Sequence, residues 1–358
     1  MVGDAADPME AIRAAIEARG PITFAEFMEL ALYGPGGFYA TPPIGPRGDF
    51  VTSPHVHPVF GELVAAALRE LRDGLGRPTP MRVAEMGAGD GTLARGLLAA
   101  AGDLPIAYTA IDRSPGARTA LATIEGIEVR AELLPPVDAV LGNELLDNLP
   151  FRVLRGEREV RIGLRGEHLV EVLAPPEPGL LASPDADHER IAPVGAIALI
   201  DTLGLTLDRG YALLIDYGGL GTTGGPLHGY RGQAIVEDVL TDPGATDITA
   251  GVDFELIASY AGSIGLEAFP SVTQREALLA LGLDGWMRGE LEGQHRSMDA
   301  GRGTEAVRTW SGRSRASLLI DPGGLGRLRW MLLATPGLAP PPWLTRASAR
   351  SADRVARS

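Results

Sequence analysis

The stretch Val83-Ala84-Glu85-Met86-Gly87-Ala88-Gly89-Asp90-Gly91-Thr92 decides the fold of this chain. An apolar run over 81–86 ends in glycines at 87, 89 and 91, and residues 92–101 then carry helix-forming side chains. That order reads as a strand, a tight glycine turn and a helix start. Glycine has no Cβ, so it takes up positive φ and lets a ligand approach the backbone closely. The spacing is not that of G-x-G-x-x-G, whose third glycine would fall on Thr92. Glu85 stands just before the turn, and a second acid, Asp112 in Ala110-Ile111-Asp112, follows about 20 residues later. The pair suits a nucleoside with a free ribose diol. Another nucleotide fold, or a turn with a purely structural task, would share these features.

Strand and helix patterns alternate from here in both directions. Strands are expected at Met81–Met86, 106–112, Ile127–Arg130, 137–142 and 212–217, with 265–272 and 328–334 as closing strands. This alternation predicts an α/β, Rossmann-like fold: a mostly parallel sheet with helices on both faces. Residues 1–75 read as an N-terminal helical region with helices at Pro8–Arg19, 24–32 and 59–73, and Thr23 and Glu26 form a capping box for the second. A glycine- and proline-rich loop over 34–58 carries Tyr33, Phe38, Tyr39 and Phe50 in or beside it, and loops of that length are often functional. The first half of the core is expected over 76–150 and the second over 211–340. Between them, residues 151–210 break the alternation. Segments 152–154, 159–164 and 168–173 read as β-hairpins, an insertion that would form a lid or the edge of a homodimer. Residues 341–358, rich in arginine and poor in apolar side chains, read as a flexible tail or an interaction arm.

The 358 residues include 46 acids against 32 bases, a formal net charge of −14. A nucleic-acid binder normally shows a basic face, so that class of partner is disfavoured. There is no cysteine, which excludes disulfides, thiol nucleophiles and cysteine metal sites. No uncharged apolar run reaches the roughly 18 residues of a membrane span. Residues 1–10 are acidic and lack a signal pattern, so a cytoplasmic setting is expected.

In open α/β sheets the ligand lies at the carboxyl ends of the strands. Three polar clusters close candidate strands: the glycine turn, Gly142-Asn143-Glu144-Leu145-Leu146-Asp147, and Asp216-Tyr217-Gly218. If a helix began near Asn143, Glu144 and Asp147 would share a face and grip a guanidinium bidentately. Equally, Asn143 would serve as an N-cap and the acids would favour a helix N-terminus. Thr52 and Ser53 offer hydroxyls either to a ligand's amino-acid tail or to the cap of the next helix. His55 and His57 would share a strand face, but no third ligand stands nearby and no metal site is expected. Asp253 suits the cap of a helix over 254–261.

The glycine turn with Glu85 and Asp112 resembles the S-adenosylmethionine (SAM) site of class I methyltransferases. Taken with Leu32-Tyr33-Gly34-Pro35-Gly36-Gly37-Phe38-Tyr39, Gly48-Asp49-Phe50-Val51-Thr52-Ser53-Pro54, Asn143-Glu144-Leu145-Leu146-Asp147-Asn148-Leu149-Pro150, Asp216-Tyr217-Gly218 and the run from Pro243 to Phe254, the chain resembles the MidA-like SAM-dependent methyltransferases. That family is related to the mitochondrial complex I assembly methyltransferase. The resemblance implies a class I methyltransferase fold, SAM as cofactor, and a protein substrate methylated at arginine, a respiratory-complex subunit in the mitochondrial relative; a small-molecule acceptor, or an assembly or binding factor that uses the fold without turnover, is the alternative. It implies that Glu85, Gly87, Ala88, Gly89, Gly91 and Asp112, with Thr52 and Ser53, hold the cofactor, and that Asn143, Glu144 and Asp147 line the acceptor side. Leu145 and Leu146 stand where the family usually carries an aromatic pair, which bears on acceptor identity.

Overall fold

The computed structural model describes residues 7–40, 52–182, 189–222, 227–232 and 234–355. Its centre is a sheet built on β1 (Met81–Met86), β2 (Ile106–Ile111), β3 (Ile127–Arg130), β4 (Ala139–Asn143), β5 (Tyr211–Asp216) and β6 (Arg329–Ala334). The spatial order is β3-β2-β1-β4-β5-β6, with the two-residue strands Glu267–Ala268 and Val272–Thr273 both pairing with β6. β1 to β5 run parallel, and β6 is antiparallel to β5. The chain order reverses between β1 and β4, which opens a crevice at their carboxyl ends.

Both faces of the sheet are covered, so its strands are apolar throughout rather than alternating. Leu213 and Ile215 of β5 face a core shared with helices Val59–Gly74, Thr92–Ala101 and Gln274–Ala280. Ala212 and Leu214 face the opposite core, under helices Val194–Thr206 and Phe254–Ser263. The second of these helices is capped by Asp253, whose Oδ1 accepts from Glu255 N at 3.1 Å and Leu256 N at 3.2 Å. Asp253→Ala is expected to cost about 1 kcal/mol. A thermal melt should show a lower Tm, restored by Asp253→Asn, which keeps the acceptor.

A third core lies outside the sheet. Ile12, Phe24, Phe27 and Met28 of the N-terminal helices pack with Phe151, Val153, Val160 and Ile162 of the inserted strands. Ile22 pairs with Ile162, so the N-terminal segment adds a strand to the sheet of Arg152–Arg155, Arg158–Arg165, His168–Ala174 and Glu189–Ala192. The N-terminal region and the hairpins, far apart in the chain, thus share one hydrophobic interior. Helix Val194–Thr206, expected within the insertion, instead covers the central sheet.

Residues 341–358 correct the expectation of a flexible tail. Pro342–Val355 is a helix. Its Trp343, Leu344 and Ala347 are buried in the first core, and Trp343 meets Trp330 edge to face at 5.7 Å between centroids. The three apolar residues share one helical face, and burying that face outweighs the chain entropy that a tail would keep. Among the described residues, no helix is long and apolar enough to cross a membrane.

Candidate active site

The strand register builds the site. Met86, Ile111 and Gly142 lie side by side across β1, β2 and β4. The next residue on each strand, Gly87, Asp112 and Asn143, therefore emerges at one rim. Gly87 and Gly89 turn the chain at φ +65 and +56. A Cβ at Gly87 would sit 2.8 Å from Leu145 Cδ1, the tip of a side chain that would have to shift, and at this positive φ a larger residue is strained. Asp112 ties the turn to β2: its Oδ2 accepts from Gly89 N at 3.0 Å and its Oδ1 from Ser114 N at 2.8 Å. Burial pushes its carboxyl up, and these two N–H groups oppose that rise.

Glu85 is buried at the end of β1, where Tyr108 donates its hydroxyl to Oε2 at 2.5 Å. Burial raises this carboxyl to about 8, against the pull of the tyrosine hydrogen bond. A cavity of about 710 Å³ opens above the turn, and its wall includes Glu85, Gly87, Ala88, Gly89, Asp112, Thr52, Asn143 and Glu144. Tyr33 and Tyr39 stack at 5.4 Å to form a further side, with the Arg113 guanidinium 4.3 Å over the Tyr33 ring. These features fit a nucleoside-bearing cofactor. The glycine turn leaves open backbone at the rim, two carboxyls stand beside it, and the volume lies within the roughly 300–1,000 Å³ of small-molecule sites.

The acceptor side is built differently from the expectation. Glu144 takes a left-handed backbone, φ +51, which costs a non-glycine residue about 1–3 kcal/mol and is typical of functional sites. Its N–H donates to Ile215 O at 2.7 Å, which holds that conformation against β5. Glu144 Oε1 accepts from Ser53 N at 2.9 Å and from Asn143 Nδ2 at 3.2 Å. Burial raises its carboxyl to about 7, with Ser53 opposing and Asp147 reinforcing the rise. Asn143 Oδ1 is buried and has no hydrogen-bond partner among the described residues.

Asp147, Ser53 and Gly91, expected at the site, lie off the cavity wall, as does Asp216. The kink at Glu144 prevents a helix from starting there, and a single 3₁₀ turn, Leu146–Asn148, follows. Asp147 therefore does not share a face with Glu144. It points inward, where Thr249 donates to its Oδ2 at 2.9 Å. Asp216 is also interior, accepting from Leu145 N at 2.9 Å and Leu146 N at 2.6 Å. Burial pushes both carboxyls up; Asp147 raises Asp216 further, whereas the contact with Asp216 opposes the rise of Asp147, so the two do not ionise together. Ser53 is fully buried, with its hydroxyl 3.2 Å from Gln274 Oε1. Gly91 is the residue before helix Thr92–Ala101 and packs toward Ile124. The segment Gly48-Asp49-Phe50-Val51 lies outside the described residues.

Asp90 lies on the wall without having been nominated from the sequence, and Tyr33, Tyr39 and His55, singled out only as aromatics of a functional loop and as a discounted metal ligand, lie on it too. His55 and His57 do not share a strand face. Ser53–Val56 is one helical turn, which sends His55 to Asp90 while His57 contacts Trp286. Among the described residues no group of acids and histidines could hold a metal ion.

Comparison with known proteins agrees with this geometry. Residues 63–272 match the family described as "Putative S-adenosyl-L-methionine-dependent methyltransferase". A mitochondrial protein arginine methyltransferase, NDUFAF7 of Xenopus tropicalis, is 29% identical over 75% of this chain and 74% of its own length. The Drosophila melanogaster homologue is 30% identical over 71% and 70%. A protein from Burkholderia thailandensis crystallised with S-adenosyl-homocysteine superposes with a TM-score of 0.78 at 27% identity, over 95% of this chain and 94% of that one. These relatives overturn the cytoplasmic expectation, because the named arginine methyltransferases are mitochondrial. Composition and the residues at the start of the chain carry no reliable compartment signal. The chain belongs to the MidA-like family of S-adenosyl-L-methionine-dependent methyltransferases and draws its methyl group from that cofactor.

Proposed function

We propose that this enzyme methylates arginine side chains of a protein. The observation that carries the reading is the pair of hydrogen-bond acceptors at the end of β4: the Glu144 carboxylate and the unpartnered Asn143 Oδ1. Asn143 Nδ2 gives one of its two hydrogens to Glu144, and the carbonyl Oδ1 is left as an acceptor for a ligand. A substrate rich in N–H donors satisfies both groups; a carboxylate or phosphate would satisfy neither. The arginine-methylating relatives point to the same acceptor.

Glu85, Gly87, Ala88, Gly89, Asp112 and Thr52 are the residues that would hold the cofactor, by virtue of their place on the cavity wall. When bound, the cofactor supplies an electrophilic methyl group on a sulfonium centre. Asn143 and Glu144 do the rest. They fix the guanidinium so that one nitrogen faces the methyl, and most of the gain is positional. Transfer requires that nitrogen to lose one proton as it gains the methyl. Glu144 Oε2 accepts the proton, and a carboxyl near 7 is well matched to the task. The acidic charge also stabilises the guanidinium before transfer.

The test uses tritiated SAM and cell lysate. Labelled protein, hydrolysed to amino acids, should yield methylarginines. Label confined to the small-molecule fraction overturns the protein acceptor, and label in methyl-lysine overturns arginine.

A further inference from the structure

We infer that His55 is a positioning residue: its imidazole ties the glycine turn to the 52–56 turn and so sets the Ser53 N–H on the Glu144 carboxylate. The inference rests on the reading of Glu144 as proton acceptor. The imidazole is buried, with 7% of its side chain exposed. Nε2 lies 3.0 Å from Asp90 Oδ2 and 3.1 Å from Thr92 Oγ1, and Nδ1 lies 2.8 Å from Thr52 Oγ1. Asp90 is held as a strong acceptor. Burial pushes its carboxyl up, but hydrogen bonds from His55 and Thr92 outweigh that and bring it down to about 2. Nε2–H therefore donates to Asp90, and Nδ1 accepts from the Thr52 hydroxyl in the neutral ring.

One ring thus bridges two turns that the chain does not otherwise join closely. Asp90 stands inside the glycine turn, whereas Thr52 precedes Ser53, whose N–H reaches Glu144 Oε1 at 2.9 Å. A donor to a carboxylate favours its ionised form, so the distance set by His55 tunes the proton affinity of Glu144. The His55 imidazole also favours the ionised form of Glu144 directly, and the other groups facing it are Asp147 in its own loop and Asp216 and Tyr217 at the end of β5. All three penalise its charge or are penalised by it. Among the described residues of this site, the Ser53 N–H and the Asn143 amide are the donors that counter them.

The test is carbon-13 NMR of the full chain labelled at glutamate carboxyls, with the Glu144 signal assigned by its loss in Glu144→Gln. The wild-type midpoint is expected near 7. His55→Ala should raise it by about one unit, a tenfold gain in proton affinity. Thr52→Val leaves the imidazole in place but cuts its far bond, and should shift the midpoint the same way. It separates the bridge from any charge the ring carries, and stands in if His55→Ala does not fold. His55→Gln, which reaches Asp90 but not Thr52 as well, should give no more than partial rescue. An unmoved midpoint in a folded Thr52→Val overturns the inference. Failure of the underlying reading is a separate result: Glu144→Gln would turn over at the wild-type rate while the midpoint shifts remained.

Discussion

Gly89→Asp is expected to weaken S-adenosyl-homocysteine binding by at least 100-fold, roughly 2.7 kcal/mol or more. The backbone alone does not predict so large a loss. Gly89 sits at φ +56, and aspartate is among the residues that tolerate the left-handed region best. The effect comes from what the side chain brings to the cavity wall. A new carboxylate would stand at a rim that already holds Glu85 and Asp112, both with raised pKa because burial penalises their charge. A third carboxyl takes up ligand space and adds a negative charge where burial already penalises charge. It also perturbs the Gly89 N–H bond to Asp112 Oδ2. Isothermal titration reads the affinity, and a thermal melt checks that the fold survives. A dissociation constant within threefold of wild type would remove the glycine turn from the cofactor site.

Glu144→Gln is expected to lower kcat by about 10²–10⁴-fold, the usual worth of a positioned proton acceptor. Affinity for S-adenosyl-homocysteine should stay within about twofold, since the substitution keeps shape and removes only charge and proton uptake. The pH dependence follows from the raised carboxyl. At a given pH near neutrality a group titrating at about 7 is more protonated than an ordinary glutamate, so the active, ionised form is gained as pH rises through 7. Wild-type kcat should climb across pH 6–8, and the glutamine variant should lose that limb. Single-turnover rates across the pH range decide it. A variant with the wild-type rate and the wild-type limb would place the proton elsewhere.

Much of this protein could be read along the chain because its signals are local. β1 is an apolar run ended by glycines, and a run of that kind has few conformations open to it. Strand spacing then implied a parallel sheet, and the sheet's topology puts any ligand at the carboxyl ends. Glu85, Gly87, Ala88, Gly89, Asp112, Asn143 and Glu144 could all be nominated on those grounds, and the fold brings all seven to one cavity wall.

What the sequence could not show depends on contacts between distant segments. The left-handed turn at Glu144 is held by Ile215 O, 71 residues further on, and with the bonds to Asp216 and Thr249 it turns Asp147 away from the cavity. No spacing rule within Asn143–Asp147 contains that information. His55 acquires its partners only when the 52–56 turn meets the glycine turn, and Tyr33 and Tyr39 become a wall only when the N-terminal helices close on the site. Residues 342–355 failed for a related reason: their average composition hid the apolar face of Trp343, Leu344 and Ala347, which counts only once another core is present to receive it. Sequence alone determined the sheet and its glycine turn, because those follow from backbone freedom and hydrophobic period, and the class of cofactor came from the resemblance that the assembled motifs carry. Tertiary structure decided which carboxylate faces the reacting groups and what surrounds it, because burial and hydrogen-bond partners belong to the packed molecule and not to any one segment.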